Sequence, residues 1–544
     1  MLAYLKNTSF LFRVFFVVLC ISIIGIIWQF NKTYLTNVKA SGGDVHEGII
    51  GAPRFINPVL AQTQADMDLT RLVFSPILTI DRKGELHYVL ADDIETAPDG
   101  LSYTLTLKHG VQFEDGVEVT ADDVVFTVES IQDSLIKSPL ATKWQGVEVE
   151  KQDEYTIVFT LARPFSDFPY NLELGVLPQH IWGTVNPQEF IFSTYNTNPI
   201  GSGPYHVKKI ENKESGVPER YVLARSLTSI EKPYIQTITL KFFDNEEQLT
   251  KALKDGSVDA AYGVSPSTAE TILDPKRVYS ATLPRVFALF FNQETQSVLK
   301  SKNVRQAINY AIDTESIVND VFHGYASPIE SAFGFPTHDP NFDPTHAKEL
   351  IESDGWKKDE EGWYHKSLND SELQLGFTVS IPNLEEMKHI ANLIQEDLAD
   401  VGIRMTIRAY DQGNFNQNIL RPREYESIIF GYEIEKPSDM YAFWHSSQIS
   451  DPGLNISLFK DAGVDTLLSS LRNTHNPEFE KIDTAIISQY PAVFLYAPSY
   501  IYILPENVRG ASFSIARSSD RFNTISDWYI RTRSVWDIFT NNQA

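Results

Sequence analysis

The chain begins with a long apolar run. Residues 14–30 (VFFVVLCISIIGIIWQF) contain no charged side chain, and a helix of about 20 such residues matches the roughly 30 Å hydrocarbon core of a bilayer. Lys6 and Arg13 precede the run and favour a cytoplasmic N-terminus, although two lysines beyond it weaken this asymmetry. The pattern predicts a cytoplasmic stub and transmembrane anchor over residues 1–31, with the rest of the chain on the extracytoplasmic face of the cytoplasmic membrane.

Two processed forms are the alternatives to an uncleaved anchor. A cleaved signal peptide needs small residues soon after a short apolar region, whereas the best candidate, Val38-Lys39-Ala40, lies about ten residues past the run. A lipoprotein needs a small residue before its lipidated cysteine at the end of the run, but Cys20 follows Leu19 in the middle of it. The uncleaved anchor is the favoured prediction.

The pattern changes beyond the anchor. Polar residues 32–43 (KTYLTNVKASGG) predict a linker. The segment SYTLTLKHGVQFEDG alternates with period two and predicts half-buried strands, and Thr120 is a plausible N-cap of the helix that follows in TADDVVFTVESIQDS. Residues from about 77 to 195 are rich in strand patterns, whereas helices and strands alternate in the second half, so the chain is predicted to be α/β.

Length and charge limit the possible classes of protein. A chain of 544 residues exceeds the size of one hydrophobic core, which predicts two or three lobes. The formal net charge of −25 argues against a nucleic-acid partner, since phosphate binding needs clustered basic residues. The single cysteine, Cys20, excludes a disulfide framework and a cysteine-based metal site within one chain.

The stretch NPIGSGPYHV, residues 198–207, raises the question of a phosphate loop. Such a loop needs a third glycine and a helix behind it, whereas here Pro204 removes a donor and an apolar-alternating run follows. Gly201 and Gly203 are therefore predicted to form a sharp turn where a strand begins.

The sequence contains none of the common catalytic or metal-binding motifs. The patterns H-E-x-x-H, G-x-S-x-G, G-x-x-x-x-G-K-[ST] and the EF-hand loop are missing, and the 12 histidines are scattered. Asp343, in DPNFDPTHAKE, is predicted to be a turn or helix-entry residue instead of a calcium ligand. We predict no catalytic residue, no metal site and no cofactor, which favours binding over catalysis.

Seven blocks of sequence, in a fixed order, carry a resemblance. They are NPVLAQTQADMDLTRLVF, DDIETAPDGLSYTLTLKHGVQFEDGVEVTADDVVFTVESIQD, LPQHIW, PIGSGPYHV, ALKDGSVDAAYG, NVRQAINYAID and GYASP. Together with an opening glycine-rich strand, they resemble the extracellular solute-binding proteins of family 5, the peptide- and oligopeptide-binding components of ABC importers. The resemblance covers residues 44–535.

The resemblance implies a type II periplasmic-binding-protein-like clamp of two lobes with an additional inserted β-rich lobe. Lobe I is expected to comprise residues 44–76, 200–282 and 505–540, lobe II to be the insert 77–199, and lobe III to comprise 283–504. Hinges are expected near Leu283-Pro284-Arg285 and near Leu504-Pro505. In the family the G-[ST]-G-P-Y block returns the chain from the inserted lobe, so its glycines are implied to be structural.

The resemblance also implies a ligand site. In the oligopeptide binders an aspartate four positions before a proline in the third lobe binds the ligand's α-ammonium group. Here Glu433 stands four positions before Pro437 and follows Phe430, Gly431 and Tyr432, so these four residues are the predicted ligand-binding residues. Glu435 and Asp439 compete for the role, and a solvated loop acid is the structural alternative for Glu433.

The implied function is capture of peptides and their delivery to the permease subunits of an ABC transporter by a membrane-anchored monomer. Relatives of the same architecture bind nickel complexes, haem or oligosaccharides, so these solutes stay open. An anchored extracellular hydrolase is the rival from a different class. A signalling receptor that uses the fold without an importer is a third possibility.

Overall fold

The computed structural model describes residues 2–81, 85–272, 278–294, 298–338, 340–368, 371–436, 438–471, 478–513 and 517–536. The helices are α1 (Leu2–Tyr34), α2 (Gln64–Val73), α3 (Ala121–Gln132), α4 (Gln179–Trp182), α5 (Glu246–Lys254), α6 (Pro266–Glu270), α7 (Lys302–Ala311), α8 (Thr314–Phe322), α9 (Pro344–Ser353), α10 (Glu385–Asp400), α11 (Gln412–Asn414), α12 (Asp439–Trp444), α13 (Ala462–Leu471) and α14 (Phe479–Ile487).

The strands, in chain order, are β1 (Leu35–Ala40), β2 (Asp44–Ile50), β3 (Leu78–Ile80), β4 (Leu86–Tyr88), β5 (Ala91–Thr96), β6 (Ser102–Leu107), β7 (Val147–Lys151), β8 (Thr156–Leu161), β9 (Tyr205–Asn212), β10 (Pro218–Arg225), β11 (Thr237–Phe243), β12 (Ala260–Tyr262), β13 (Val278–Thr282), β14 (Arg285–Phe291), β15 (Ala326–Pro328), β16 (Lys357–Lys358), β17 (Tyr364–Leu368), β18 (Ser371–Gln374), β19 (Gly376–Pro382), β20 (Arg404–Tyr410), β21 (Ser427–Glu433), β22 (Ala492–Ile503) and β23 (Arg531–Trp536).

One large mixed sheet runs through most of the molecule, in the order β20-β19-β21-β14-β22-β12-β2-β11-β10-β9, with β13 and β15 also paired to β22. We call the strands from β20 to β14 the β14 half and those from β12 to β9 the β2 half. Helices α7, α8 and α10 cover one face of the β14 half, and α12, α13 and α14 cover the other. The mixed α/β content predicted from the sequence is confirmed.

The strand β22 belongs to both halves. Its residues 492–496 pair antiparallel with β14, whereas residues 499–503 pair with β13. The β13–β14 connection passes between the halves at Leu283-Pro284, next to the predicted hinge. The second hinge was predicted near Leu504-Pro505, but the pairing of β22 shows that the strand crosses from one half to the other earlier, at residues 497–498.

A separate group of strands lies between the first and second passages of the chain through the β2 half. β5, β6, β8 and β7 form a four-stranded antiparallel sheet, and β3 pairs with β4. Within the described residues these strands pair only with one another. α3 packs on this sheet, and Thr120 is its N-cap as predicted, with its N–H donating to the Asp123 carboxylate at 2.8 Å.

The glycines of the NPIGSGPYHV block are explained by close packing. A Cβ atom on Gly201 would lie 2.0 Å from the carbonyl oxygen of Val73, and one on Gly203 would lie 2.4 Å from the Val73 carbonyl carbon. The Gly203 N–H donates to that same oxygen at 2.7 Å. β9 begins within the block, at Tyr205, so the block brings the chain against the end of α2 and starts a strand, as predicted.

The predicted linker, residues 32–43, differs from expectation. Its residues Leu35–Ala40 form β1, which pairs antiparallel over its whole length with β23, Arg531–Trp536. The polar composition of the segment suggested a flexible tether, but both strands of a two-stranded ribbon can expose their side chains to water. We call β1 and β23 together the terminal ribbon.

The β2 half contains a buried ionic cluster. Arg521, Glu47 and Asp68 are each 0% exposed, and the guanidinium donates to Glu47 Oε1 at 2.6 Å and to Asp68 Oδ2 at 2.6 Å. The Tyr502 hydroxyl donates to Glu47 Oε2 at 2.7 Å. The pKa of Arg521 is raised well above its ordinary value, because the two carboxylates outweigh the burial that alone would lower it. The cluster joins β2, α2, β22 and the C-terminal segment.

Candidate ligand-binding site

The predicted acid lies where the two halves of the sheet meet. β21 ends at Glu433 and β14 begins at Arg285, and the antiparallel register places these two residues opposite each other. The Arg285 guanidinium donates to Glu433 Oε2 at 2.7 Å. The two side chains are 42% and 38% exposed, and the next N–H, of Ile434, donates to the carbonyl oxygen of Pro284 at 2.8 Å. Glu433 is therefore an accessible, paired carboxylate at the crossing between the halves.

The four predicted ligand-binding residues do not share one surface. Successive side chains of a strand point to opposite faces, and on β21 Phe430 and Tyr432 pack in the core beneath α12–α14. Gly431 and Glu433 lie on the other face, with Phe287. The structure therefore brings Glu433 together with Arg285, not with Phe430 or Tyr432.

Gly431 has a packing reason on its own face. A Cβ atom there would lie 2.7 Å from Cε1 of Phe287, whose ring covers the glycine. The Phe287 ring is also stacked on Tyr496, with centroids 4.8 Å apart and planes 5° from parallel. Gly431 thus lets an aromatic ring lie flat on β21 next to the Arg285–Glu433 pair.

Tyr432 anchors the strand on the opposite face. Its side chain is 6% exposed, and its hydroxyl donates to the carbonyl oxygen of Ala332. Burial raises the pKa of Tyr432 well above its ordinary value. A cavity of about 260 Å³ adjoins it, lined in part by Phe290, Phe430 and Phe443. These aromatic side chains pack against β21 on the face opposite the candidate site.

Glu435 and Asp439, the two competing acids, are both engaged by the protein. Lys143 Nζ donates to Glu435 Oε2 at 2.7 Å. Desolvation acts to raise the pKa of the Glu435 carboxyl, but the Lys143 ammonium outweighs it and lowers that pKa. Asp439 Oδ2 accepts the N–H groups of Glu435 and Lys436 at 2.9 and 3.0 Å. Pro437, from which the spacing was counted, lies outside the described residues.

The segment after Glu433 contacts the insert, residues 77–199. Asp167 of the insert, 6% exposed, accepts the N–H of Ser438 at 3.0 Å, and the Lys436 ammonium lies 4.7 Å from the ring centroid of Phe165. Burial and then the charge of Asp167 raise the pKa of Tyr170 to about 12. With Lys143–Glu435, these contacts tie the insert to the β14 half beside the candidate site.

A further ion pair faces the same junction from the C-terminal segment. Arg517 pairs with Glu173, which is 9% exposed, and lies 3.8 Å from Asp520. The pKa of Arg517 is raised because Glu173 and Asp520, with a smaller effect from Glu435, outweigh its burial. The C-terminal segment, the insert and the β14 half thus all contribute charged groups to the region around Glu435.

One group of possible metal ligands lies elsewhere. Among the described residues, Asp81, Glu85 and His87 bring single ligand atoms within 4.8 Å of one another. Asp81 is partly buried and the other two residues are exposed, and the His87 ring lies 3.7 Å from the Asp81 carboxylate. Exposed acidic groups of this kind are common without an ion, so the group does not define a metal centre.

The cations of the site were not predicted from the sequence. Arg285 was expected only as part of a hinge, and no role was predicted for Lys143 or Arg517. The one available signal was the position of Arg285, directly after the Leu283-Pro284 crossing. Its partner is 148 residues away in sequence, and nothing local to either residue indicates their register.

The N-terminal helix has the properties expected of a membrane span. The segment Phe12–Tyr34 is 23 residues long, and its most apolar stretch of 18 residues has a mean hydropathy of 2.3. An uncleaved anchor and a signal sequence share this length and composition.

Two halves of one mixed sheet, joined by the β13–β14 connection and by β22, with helices on both faces of the β14 half, are consistent with a periplasmic solute-binding protein fold. The chain belongs to the bacterial extracellular solute-binding proteins, family 5, whose sequence profile matches residues 85–451. The resemblance stated from the sequence motifs is thereby confirmed.

Individual relatives agree with this family assignment. The oligopeptide-binding protein AppA of Bacillus subtilis is 28% identical over 514 residues, covering 90% of this chain and 92% of that protein. Its structure in complex with a nonapeptide has a TM-score of 0.63 at 25% identity and covers 91% and 100% of the two chains. The ABC transporter substrate-binding protein CtaP of Listeria monocytogenes gives 0.72 at 26% identity, over 90% and 99%. MppA, a periplasmic murein tripeptide-binding protein in its unliganded open form, gives 0.75 at 18% identity, over 91% and 99%.

Proposed function

We propose that this protein captures peptides outside the cytoplasm and delivers them to the permease of an ABC importer. The observation that carries the proposal is the similarity to AppA, which extends over nine-tenths of both chains and includes a structure with a bound nonapeptide. The protein acts by binding and release and is not an enzyme, consistent with its membership of a solute-binding family. It works as a monomer.

The proposed site is the junction beside Arg285 and Glu433. An extended peptide can pair its main chain with strand edges, which gives affinity without selecting particular side chains. Glu433 is the proposed partner of the ligand's α-ammonium group, because it is the one of the three candidate acids that is held neither by an ion pair with the insert nor by loop N–H groups. Arg285 neutralises it in the unliganded protein, and the ammonium group then shares or replaces that cation.

The other predicted residues have supporting roles in this proposal. Gly431 leaves room for the Phe287 ring. Tyr432 and Phe430 hold β21 in position from the opposite face. They determine where the Glu433 carboxylate stands, and do not contact the ammonium group themselves.

The proposed lobes are those expected from the sequence, with lobe I formed by residues 44–76, 200–282 and 505–540, lobe II by 77–199 and lobe III by 283–504, except that residues 499–503 pair with β13 and so join lobe I. Lobe III closes on lobe I by bending at the two strand crossings, since few residues have to change φ and ψ there.

Closure and intact release test the function together. We expect saturating nonapeptide to lower the radius of gyration of the full chain, measured by small-angle neutron scattering in contrast-matched detergent. Chromatography and mass spectrometry of the same sample should recover the peptide uncut. An unchanged radius would contradict the clamp, and a shortened peptide would favour the anchored hydrolase.

We also propose that α1 is an uncleaved single-pass anchor, which places the lobes on the extracytoplasmic face. The intact mass of the protein extracted from membranes should include the whole N-terminal segment and no acyl group. A mass that begins after Ala40 would show cleavage, and an N-terminal diacylglycerol-modified Cys20 would show a lipoprotein; either result overturns the anchor.

A further inference from the structure

The large sheet has a gap beside β21. β19 pairs with β21 only at Val379 and Ser380, whereas its pairing with β20 continues to the end of β19. β21 runs on through residues 429–433, and among the described residues no strand pairs with its β19 side beyond Ile428. This free edge spans about 13 Å at roughly 3.3 Å per residue, which is room for a short extended segment of peptide.

The first turn of α10 packs against the row of residues that leads to this gap. α10 begins at Glu385, shortly after the end of β19, and its residue Met387 belongs to the same buried cluster as Tyr496 of β22. Tyr496 lies opposite Phe287 of β14, which in turn lies opposite Gly431 of β21. The start of α10 therefore stands at the level of the gap, on the face of the sheet that Phe287 covers.

Glu386, in this first turn, is an acid without a partner among the described residues. Its neighbour Glu385 accepts a hydrogen bond from Lys388 Nζ at 2.8 Å. Glu386 is exposed to water, yet the protein around it raises the pKa of its carboxyl by desolvation. Burial, and then the charge of Glu386, raise the pKa of Tyr496, whose buried hydroxyl also lacks a hydrogen-bond partner. Glu386 therefore stands in a concave part of the surface, close to Tyr496.

Phe287 provides an aromatic surface on the same face. Its half-buried ring covers Gly431, and Arg285 and Glu433 follow two residues further along their strands. The Arg285 guanidinium pairs with Glu433, which leaves Glu386 as the carboxylate without a cation. An aromatic ring next to such a carboxylate suits a long basic side chain, because its methylene groups can lie on the ring while its charged group meets the acid.

The register of β21 indicates which side chain of a bound peptide meets this surface. With its α-ammonium group at Glu433, an extended peptide in the gap runs antiparallel to β21, so its first residue lies opposite Glu433 and its third opposite Gly431. Opposite residues of an antiparallel pair share a face of the sheet. The third side chain therefore points to the Phe287 face, whereas the second points to the face of Phe430 and Tyr432.

We propose that this protein prefers peptides whose third residue is basic, with the methylene groups of that side chain on the Phe287 ring and its cation paired with Glu386. The proposal rests on the proposed function and on Glu433 as the partner of the α-ammonium group. It narrows the substrate class of that site to peptides that carry two cationic groups near the N-terminus, the α-ammonium group and a lysine or arginine side chain.

The preference is tested by calorimetric titration of the full chain in detergent with nonapeptides that differ only at the third position. Lysine there should give about tenfold tighter binding than norleucine, which has a chain of similar length without the charge. Glu386→Gln should abolish this difference by weakening the lysine peptide alone. Glu385→Gln is the matched control and should preserve the difference, because the Glu385 carboxylate already pairs with Lys388.

The position of the lysine separates a built site from general attraction to an acidic protein. A peptide with lysine at the second position should gain nothing, because that side chain points to the other face. Equal affinity for the lysine and norleucine peptides would overturn the proposal, as would a lysine preference that survives Glu386→Gln or that is the same at both positions. Failure of the proposed function is distinguishable, because then neither the lysine nor the norleucine peptide binds.

Discussion

Replacement of Arg521 by alanine lowers the free energy of unfolding by about 3–5 kcal/mol. The guanidinium is completely buried and contacts Glu47 and Asp68 through four hydrogen bonds of 2.6–3.0 Å. Its removal leaves two carboxylates together in the core without a cation, which is the costly way to break a buried ionic cluster. Urea denaturation of the wild type and the variant, followed by circular dichroism, gives the difference from the midpoints.

An exposed arginine of the same segment provides the control. Arg509 is exposed, and Arg509→Ala should change the free energy of unfolding by no more than about 0.5 kcal/mol. If the two variants have the same midpoint, Arg521 does not hold the β2 half together in the way its contacts indicate.

The second large effect concerns ligand affinity. Glu433→Gln keeps the size of the side chain and removes its charge, so we expect a free-amine peptide to bind about thirtyfold more weakly, a loss of about 2 kcal/mol. This is the lower end of the range of about 2–5 kcal/mol for a charged pair, chosen because Glu433 is 38% exposed before closure. Calorimetric titration should show almost no change for the N-acetylated form of the same peptide.

Replacement of Arg285, the partner of Glu433, provides a second test of the ligand site. Arg285→Gln removes the competing cation, so it should tighten binding of the free-amine peptide and leave the acetylated peptide unaffected. Glu435→Gln and Asp439→Asn are the matched acid controls, because Lys143 and the loop N–H groups already engage these side chains. If one of the controls discriminates between the peptides and Glu433→Gln does not, the spacing to Pro437 identified the wrong acid. If none discriminates, the ligand does not bind through a free amine.

Local patterns in the sequence predicted the local structure well. Thr120 caps α3 and Asp343 caps α9, accepting the N–H groups of Thr345 and His346, because capping needs only a side-chain oxygen and the next few backbone donors. The Gly201–Gly203 block was predicted to turn the chain into a strand, although the group that requires glycine, the Val73 carbonyl, is far away in sequence. The family and its fold followed from ordered motifs.

Contacts between distant segments could not be predicted. The Lys143–Glu435 pair joins residues 292 positions apart, and the partner of β1 is the last described strand of the chain. A polar, exposed strand has the same composition as a linker, so only the presence of β23 distinguishes them. The resemblance implied that Phe430, Gly431, Tyr432 and Glu433 form one site. They lie on one strand, and the alternation of its side chains divides them between two faces.

The buried ionic cluster has a consequence for the order of folding. Glu47 and Asp68 are synthesised early, but Arg521, which neutralises them, follows more than 450 residues later. The β2 half therefore stays incomplete through most of synthesis, with two core carboxylates still accessible to water. The strands of the insert, which pair among themselves, have all their partners within residues 78–161 and can assemble first. The C-terminal segment that carries Arg521 thus completes the burial of β2, the first strand of the large sheet.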